Sequence, residues 1–181
     1  MSLEFYFLRS SEQKIVTDML YYSQHLHTTN KTLQDIPELT IYHEFYGLTP
    51  KDFGIYILKD AKIAGAIWSR RLSDYHNSHA FVKNDTPVLN LAVKPEFQHQ
   101  EIATALVEKY LQEAASMYEM LSISVIKEQI PFFQKFAFEI VEGSEHKSYV
   151  GDIDCVIMIK KLQKQSTQEH FTDFSDCKWL D

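Results

Sequence analysis

Apolar and polar positions along this chain follow two rhythms, one of period two and one of period three to four, and segments of the two kinds interleave. The clearest case lies at 89–107, LNLAVKPEFQHQEIATALV. Leu89, Leu91 and Val93 alternate with Asn90, Ala92 and Lys94, which predicts a strand, and Pro95 stops it. A loop rich in Gln and His follows. From Ile102 the apolar residues fall at 102, 103, 106, 107, 110, 111 and 114, the spacing of one helical face. A helix that opens directly after a strand points its unbonded first-turn N–H groups outward. With the positive end of the helix dipole, those groups can hold a phosphate.

The same rhythms place the other elements. Residues 5–9 read as a first strand. Ser10 with Gln13 fits a capping box, and Ile15, Val16, Met19, Leu20 and Leu26 mark the inner face of the helix behind it. Residues 25–31 form a polar loop. The spacing over 37–46 predicts a second, aromatic-rich helix ended by Gly47 and Pro50. The apolar runs 54–58 and 63–68, joined by Lys59-Asp60-Ala61-Lys62, predict a hairpin. A polar insertion over 73–86 holds Asp74, Tyr75, His76 and His79. Beyond the helix at 102–114 come a strand at 121–126, a short helix at 131–136, and strands at 139–142 and 155–159. The order is β, α, α, β, β, β, α, β, α, β, β, a mixed α/β pattern with one βαβ crossover. No repeat or linker divides it, which predicts one domain over residues 4–162. The polar tail at 163–181 carries Phe171, Phe174 and Trp179. It is either a frayed end or a segment whose aromatics dock on the core or on a second copy, so a homodimer is one expectation.

Composition narrows the classes of partner. A hydrophobic content of 45% with 13% aromatics suits a folded core. No apolar run is long enough to cross a bilayer, so no membrane partner is expected. Eighteen Lys and Arg against 25 Asp and Glu give a formal charge of -7 and no basic stripe, which argues against nucleic acid. An acidic surface attracts cationic amines. Cys155 and Cys177 lack metal spacing, Cys155 reads as a buried thiol, and no signal-like start is present. A reducing cytoplasm is the expected setting.

The segment at 89–107 resembles the acetyl-CoA-binding motif of the GNAT superfamily of N-acetyltransferases. That motif runs apolar strand, x, Pro, two residues, Gln or Arg, two residues, Gly, x, Gly or Ala, then helix. Val93, Pro95, Gln98 and Ala103 stand at matching positions, and Glu101 replaces the first glycine. The element order over about residues 5–162 is similar to the family's as well. The resemblance implies a single domain with a mixed, mostly antiparallel central sheet of about six to seven strands flanked by helices. It implies acetyl-CoA as co-substrate, with no metal. The acceptor would be an amine of a small molecule or peptide.

Four tasks follow for such a transfer: hold the co-substrate, polarise the carbonyl, deprotonate the amine and stabilise the thiolate. On the resemblance, Gln98, His99, Gln100, Glu101, Ile102, Ala103 and Thr104 bind the pyrophosphate, and the backbone of Leu91, Ala92 and Val93 meets the acetyl oxygen. Glu101 either sets a carboxylate beside the phosphates or turns to solvent as a first-turn acid. The thiolate acid of the family is a tyrosine in a Tyr, three residues, Gly, Phe motif. Here Phe133 stands at the tyrosine, Ala137 at the glycine and Phe138 at the closing position. Phe133 has no proton to give; water or another tyrosine, Tyr118 or Tyr149, is the alternative source. For the base, Asp74, His76, His79 and Glu44 are candidates, each also readable as a surface residue, with Asn90 as a holder of water. Among Tyr42, Phe45 and Tyr46, helical spacing favours core packing for at least one. Arg70 and Arg71 end a strand, either facing an acidic group or solvated. Two functions stay open: an acetyl-CoA-dependent N-acetyltransferase, or a GNAT-like domain impaired in catalysis that binds acyl-CoA or a protein. The strand–Pro–Gln–Ala–helix segment, the closing FFQKFAF run and the element order favour the first, and three departures, Glu101, Phe133 and Ala137, support the second.

Overall fold

The two apolar runs around Asp60-Ala61 pair as the hairpin β2 (Phe53–Lys59) and β3 (Lys62–Arg70). Asp60 and Ala61 both have positive φ, at 50° and 61°, the mirror-image turn whose twist matches the strands. In the computed structural model, which describes residues 2–163, six further strands join them. These are β1 (Leu3–Phe7), β4 (Val88–Val93), β5 (Met120–Ile126), β6 (Glu139–Ile140), β7 (His146–Lys147) and β8 (Asp154–Lys161). The sheet order is β1-β2-β3-β4-β5-β8-β6, with β7 paired to β8. All pairs are antiparallel except β4–β5, which the helix α2 (Ile102–Ala114) joins as the expected crossover. The sheet has one strand more than the sequence pattern suggests. That strand, β7, is two residues long and carries no alternation to read.

Two apolar layers cover the sheet. On one face α2 lays Leu106, Val107 and Tyr110 against Ile57, Leu89 and Ile123. Gly65 permits this, since a Cβ there would lie 2.6 Å from the Ala92 carbonyl oxygen and 3.0 Å from Leu106 Cδ1. On the other face α1 (Gln13–Ser23) buries Val16, Met19 and Leu20 with Trp68, Val88 and Ala92. Its entry is tied differently from the expected Ser10–Gln13 box. The Glu12 carboxylate accepts from the Arg9 N–H at 2.8 Å, and a 3-10 turn at Ser10–Glu12 leads into the helix. A short α3 (Ile130–Gln134) follows β5.

Residues 37–46 are not the expected α-helix. Pro37–Tyr42 is a 3-10 helix, and the chain then turns, with Phe45 at φ 56°. The cause is Arg70, whose guanidinium holds Asp52 through two bonds of 3.1 and 3.2 Å and also takes the carbonyls of Ile41, Glu44 and Phe45. Those carbonyls serve a guanidinium instead of helix amides. Arg70 is therefore neither solvated nor turned to a substrate, while Arg71 pairs with Asp85 at the surface. Tyr42 and Tyr46 enter the core, and Phe45 stays exposed. Among the described residues no helix is long and apolar enough to cross a membrane. The tail aromatics Phe171, Phe174 and Trp179 lie outside the described residues.

Candidate active site

Strands β4 and β5 share a single registered pair, Val88 with Ser122, and then part. Backbone polar groups alternate sides along a strand. Lys94 N–H bonds the Ala64 carbonyl of β3, and the Pro87 carbonyl accepts from Ser122 of β5. The even-numbered groups of β4 thus face β3, and the odd-numbered ones face β5. Beyond the last pair, the N–H groups of Leu91 and Val93 point into the opening. A cleft of about 610 Å³ occupies that opening, running from Leu89–Val93 past His99, Glu101 and Thr104 to Phe132 and Phe133.

The loop at one end of the cleft is shaped by two left-handed residues, His99 at φ 59° and Glu101 at φ 60°. Glu101 stands just before α2. The N–H groups of Ile102, Ala103 and Thr104 donate to no acceptor among the described residues, and the first α2 bond is from Ala105 to the Glu101 carbonyl. Gln100 is pinned, its amide donating to the Glu96 carbonyl at 3.2 Å and accepting from Lys59. The loop offers aligned donors next to an open cleft, which fits a phosphate.

A second, smaller pocket of about 50 Å³ opens on the α1 face of the same seam. Asn90, Leu89 and Ser124 line both cavities. Asn90 is 6% exposed, and its Nδ2 has no partner among the described residues. Tyr42 and Tyr149 join hydroxyls at 2.7 Å in the pocket wall, and burial raises both their pKa values. The His79 ring stacks on Tyr149 at 3.7 Å, with its own pKa lowered first by burial and then by the neighbouring His146. No Asp, Glu, Lys or Arg lines this pocket.

The family profile described as acetyltransferase (GNAT) domain matches residues 51–140, which span the seam, the loop and α3. The chain belongs to the GNAT superfamily. Solved structures agree in fold. A GNAT-family acetyltransferase of Streptococcus pneumoniae aligns with TM-score 0.62 at 14% identity, over 89% of this chain and 99% of that one. The ribosomal-protein-S18-alanine N-acetyltransferase of Escherichia coli aligns with TM-score 0.61 at 15% identity, over 94% and 100%. The yncA protein of Salmonella typhimurium, solved with its cofactor acetyl-CoA, aligns with TM-score 0.63 at 11% identity, over 94% and 99%. No curated protein sequence matches the chain.

The departures from the GNAT motifs now have physical content. Glu101 and Ala137 replace glycines, and both adopt positive φ, at 60° and 61°. The backbone path a glycine would take is therefore kept, at the strain an L-residue carries there. Glu101 is exposed. Phe133 is 2% exposed, packed edge-on against Phe132 and Phe138, and its ring borders the cleft.

Of the sequence-predicted residues, Leu91, Ala92, Val93, Gln98, His99, Glu101, Ile102, Ala103 and Thr104 line the cleft, and Gln100 lies just outside, holding the loop. Asn90 and His79 border the small pocket. His76 does not: it is exposed, and its Nδ1 accepts from the Ser73 N–H at 3.0 Å, closing its own turn. Asp74 is exposed in the same turn, and Glu44 is exposed on the Arg70-bound segment. Tyr118 donates to the Lys51 carbonyl at 2.7 Å, away from the seam, whereas Tyr149 is in the pocket wall. Sequence reasoning missed Ser124, His146, His25 and Gln129. For Ser124 a signal existed: Ser122 and Ser124 alternate with Leu121, Ile123 and Val125.

Proposed function

We propose that this protein is an acetyl-CoA-dependent N-acetyltransferase that moves an acetyl group to a primary amine of a small molecule or peptide. The observation that carries the reading is the seam. Unpaired N–H groups of Leu91 and Val93 and the free amide of Asn90 face a place where a long cleft and a small pocket meet. A thioester carbonyl held there would be polarised by the backbone, as preorganised donors do. Gln98, His99, Glu101, Ile102, Ala103 and Thr104 would hold the pyrophosphate, and Leu91, Ala92 and Val93 the acetyl-pantetheine end. Asn90 would hold the acceptor or a water beside it. A second reading, a domain that binds acyl-CoA without transfer, is favoured by Phe133, which has no proton for the thiolate.

Calorimetric titration of acetyl-CoA, with free CoA and desulfo-CoA for comparison, tests the binding half. Thiol release with a panel of amines tests the transfer. Micromolar binding with amine-dependent thiol release supports the first reading. Binding without release from any amine favours the second. No binding at millimolar acetyl-CoA removes both.

A further inference from the structure

We infer that Ser124 and His146 form the pair that takes the proton from the incoming amine, an inference that rests on the transferase reading above. Ser124 lies on the α1 face of β5, two residues beyond Val88–Ser122, so that Asn90 stands opposite it across the opening. It lines both cavities. Its Oγ is 2.6 Å from His146 Nε2, and His146 Nδ1 is 2.7 Å from the Ser144 carbonyl oxygen. A carbonyl only accepts, so Nδ1 carries the proton, Nε2 is the acceptor, and Ser124 donates to it. This is a nucleophile-and-base arrangement in which a backbone carbonyl orients the ring.

The placement of the ring is specific. His146 pairs with Cys155 of β8, and Cys155 pairs with Ile126 of β5. The imidazole therefore crosses one whole strand to reach Ser124. Facing it are the His79 ring, edge-on at 5.2 Å, and the Cys155 thiol, while Glu145 and Lys147 beside it are exposed and Lys147 pairs with Asp154. Among the lining residues of the small pocket there is no carboxylate to serve instead. His25 and His79 line it, but neither shows a hydroxyl bridge into the seam among the described residues.

The step balances without a further reagent. The amine nitrogen bonds to the acetyl carbon. One N–H proton passes to Ser124 Oγ as the Ser124 proton passes to His146 Nε2. The C–S bond breaks with its electron pair on sulfur, and the imidazolium proton returns through Ser124 to the thiolate. The same pair thus supplies the proton that Phe133 cannot. Ser124 touches the amine. His146 acts through it.

The test is steady-state transfer to the best amine of the panel by the wild type, Ser124→Ala, Ser124→Thr and His146→Gln, with melting and acetyl-CoA titration of each. The expected result is a fall in kcat of about 10²-fold for Ser124→Ala and His146→Gln, with recovery in Ser124→Thr. Acetyl-CoA affinity stays unchanged, and the acidic limb of the pH–rate profile disappears in His146→Gln. A Ser124→Ala enzyme that keeps its rate overturns the pair while leaving the transferase reading intact. So does an acidic limb that persists in His146→Gln, which would assign it to His79. A wild type that binds acetyl-CoA and acetylates no amine overturns both. Nitrogen NMR of the wild-type imidazoles gives an activity-free check: a proton on Nε2 of His146 would also overturn the pair.

Discussion

Replacing Glu101 with glycine should make this protein both more stable and a tighter binder of acetyl-CoA, for two separable reasons. The first is backbone strain. Glu101 sits at φ 60°, ψ 15°, in the left-handed region. An L-residue pays roughly 1–2 kcal/mol there. Glycine pays none, but its unfolded chain is freer by roughly 0.5–1 kcal/mol. The net gain is about 1 kcal/mol, or about 2–4 °C in melting temperature for a chain of this size. The second reason is charge. The Glu101 side chain is exposed, so its repulsion of a pyrophosphate acts mostly through water. Its removal should tighten binding by about three- to five-fold at ~0.1 M salt, and by little at ~1 M. Two controls separate the terms. Glu101→Gln removes the charge and keeps the strain, so it should gain affinity without stability. Ala137→Gly relieves the same strain at φ 61° outside the cleft, so it should gain stability without affinity. Scanning calorimetry and acetyl-CoA titration at both salts measure all four proteins. The reasoning fails if Glu101→Gly melts at or below the wild-type temperature, or if Glu101→Gln raises melting as much.

Phe133→Tyr should leave kcat within about threefold of the wild type with little change in KM, because the Ser124–His146 pair already returns a proton to the thiolate; a rise of about 10²-fold would show that the thiolate leaves unprotonated in the wild type. Arg70→Met should cost about 3–5 kcal/mol in urea unfolding, since it strands Asp52, whose side chain is 1% exposed, and releases three carbonyls; a loss below about 1 kcal/mol would contradict the clamp. Burial lowers the pKa values of His25, His43 and His79 below their ordinary 6.5. The unfolded chain therefore takes up protons first as pH falls. The stability these rings lend is whole above 6.5 and is lost as pH drops through their lowered values, so the melting temperature should fall between about pH 7 and pH 5, and less steeply in a His79→Gln variant.

The strand, loop and helix at 88–114 were legible because one buried face dictates each period: two along β4, three to four along α2. The hairpin and β8 were legible for the same reason. Residues 37–46 misled because Leu39, Tyr42 and Tyr46 keep a helical interval, while a distant side chain, Arg70, decides the backbone path. Propensity has no access to such a partner. The loop that borders the cleft could be read from its motif. The small pocket could be read only in part: Asn90, His79 and Tyr149 stood out as single residues, whereas Ser124 and His146 come from separate segments and meet only when β7 folds back on β8. His76 drew attention as a histidine in a polar stretch, and its ring serves the turn that holds it.

The single registered pair between β4 and β5 also bears on how this molecule opens. On the α2 face one apolar layer bridges both halves of the sheet, reaching from Ile57 to Met158. The layer on the α1 face draws on β3 and β4 but on no residue of β5 or β8 among those described. Apolar packing is thus continuous across the strands of the seam on the α2 side only, while the α1 face is held mainly by polar contacts: the Ser122 hydroxyl donates to the Ala80 carbonyl, and Tyr149 bonds Tyr42 and stacks on His79. Small excursions should part the two half-sheets at the α1 face without unfolding either half. Amide hydrogen exchange at Leu91 and Val93 should then be fast while Ile57 and Ile123 stay protected. A ligand lodged in the gutter would slow that exchange and make two cooperative units melt as one.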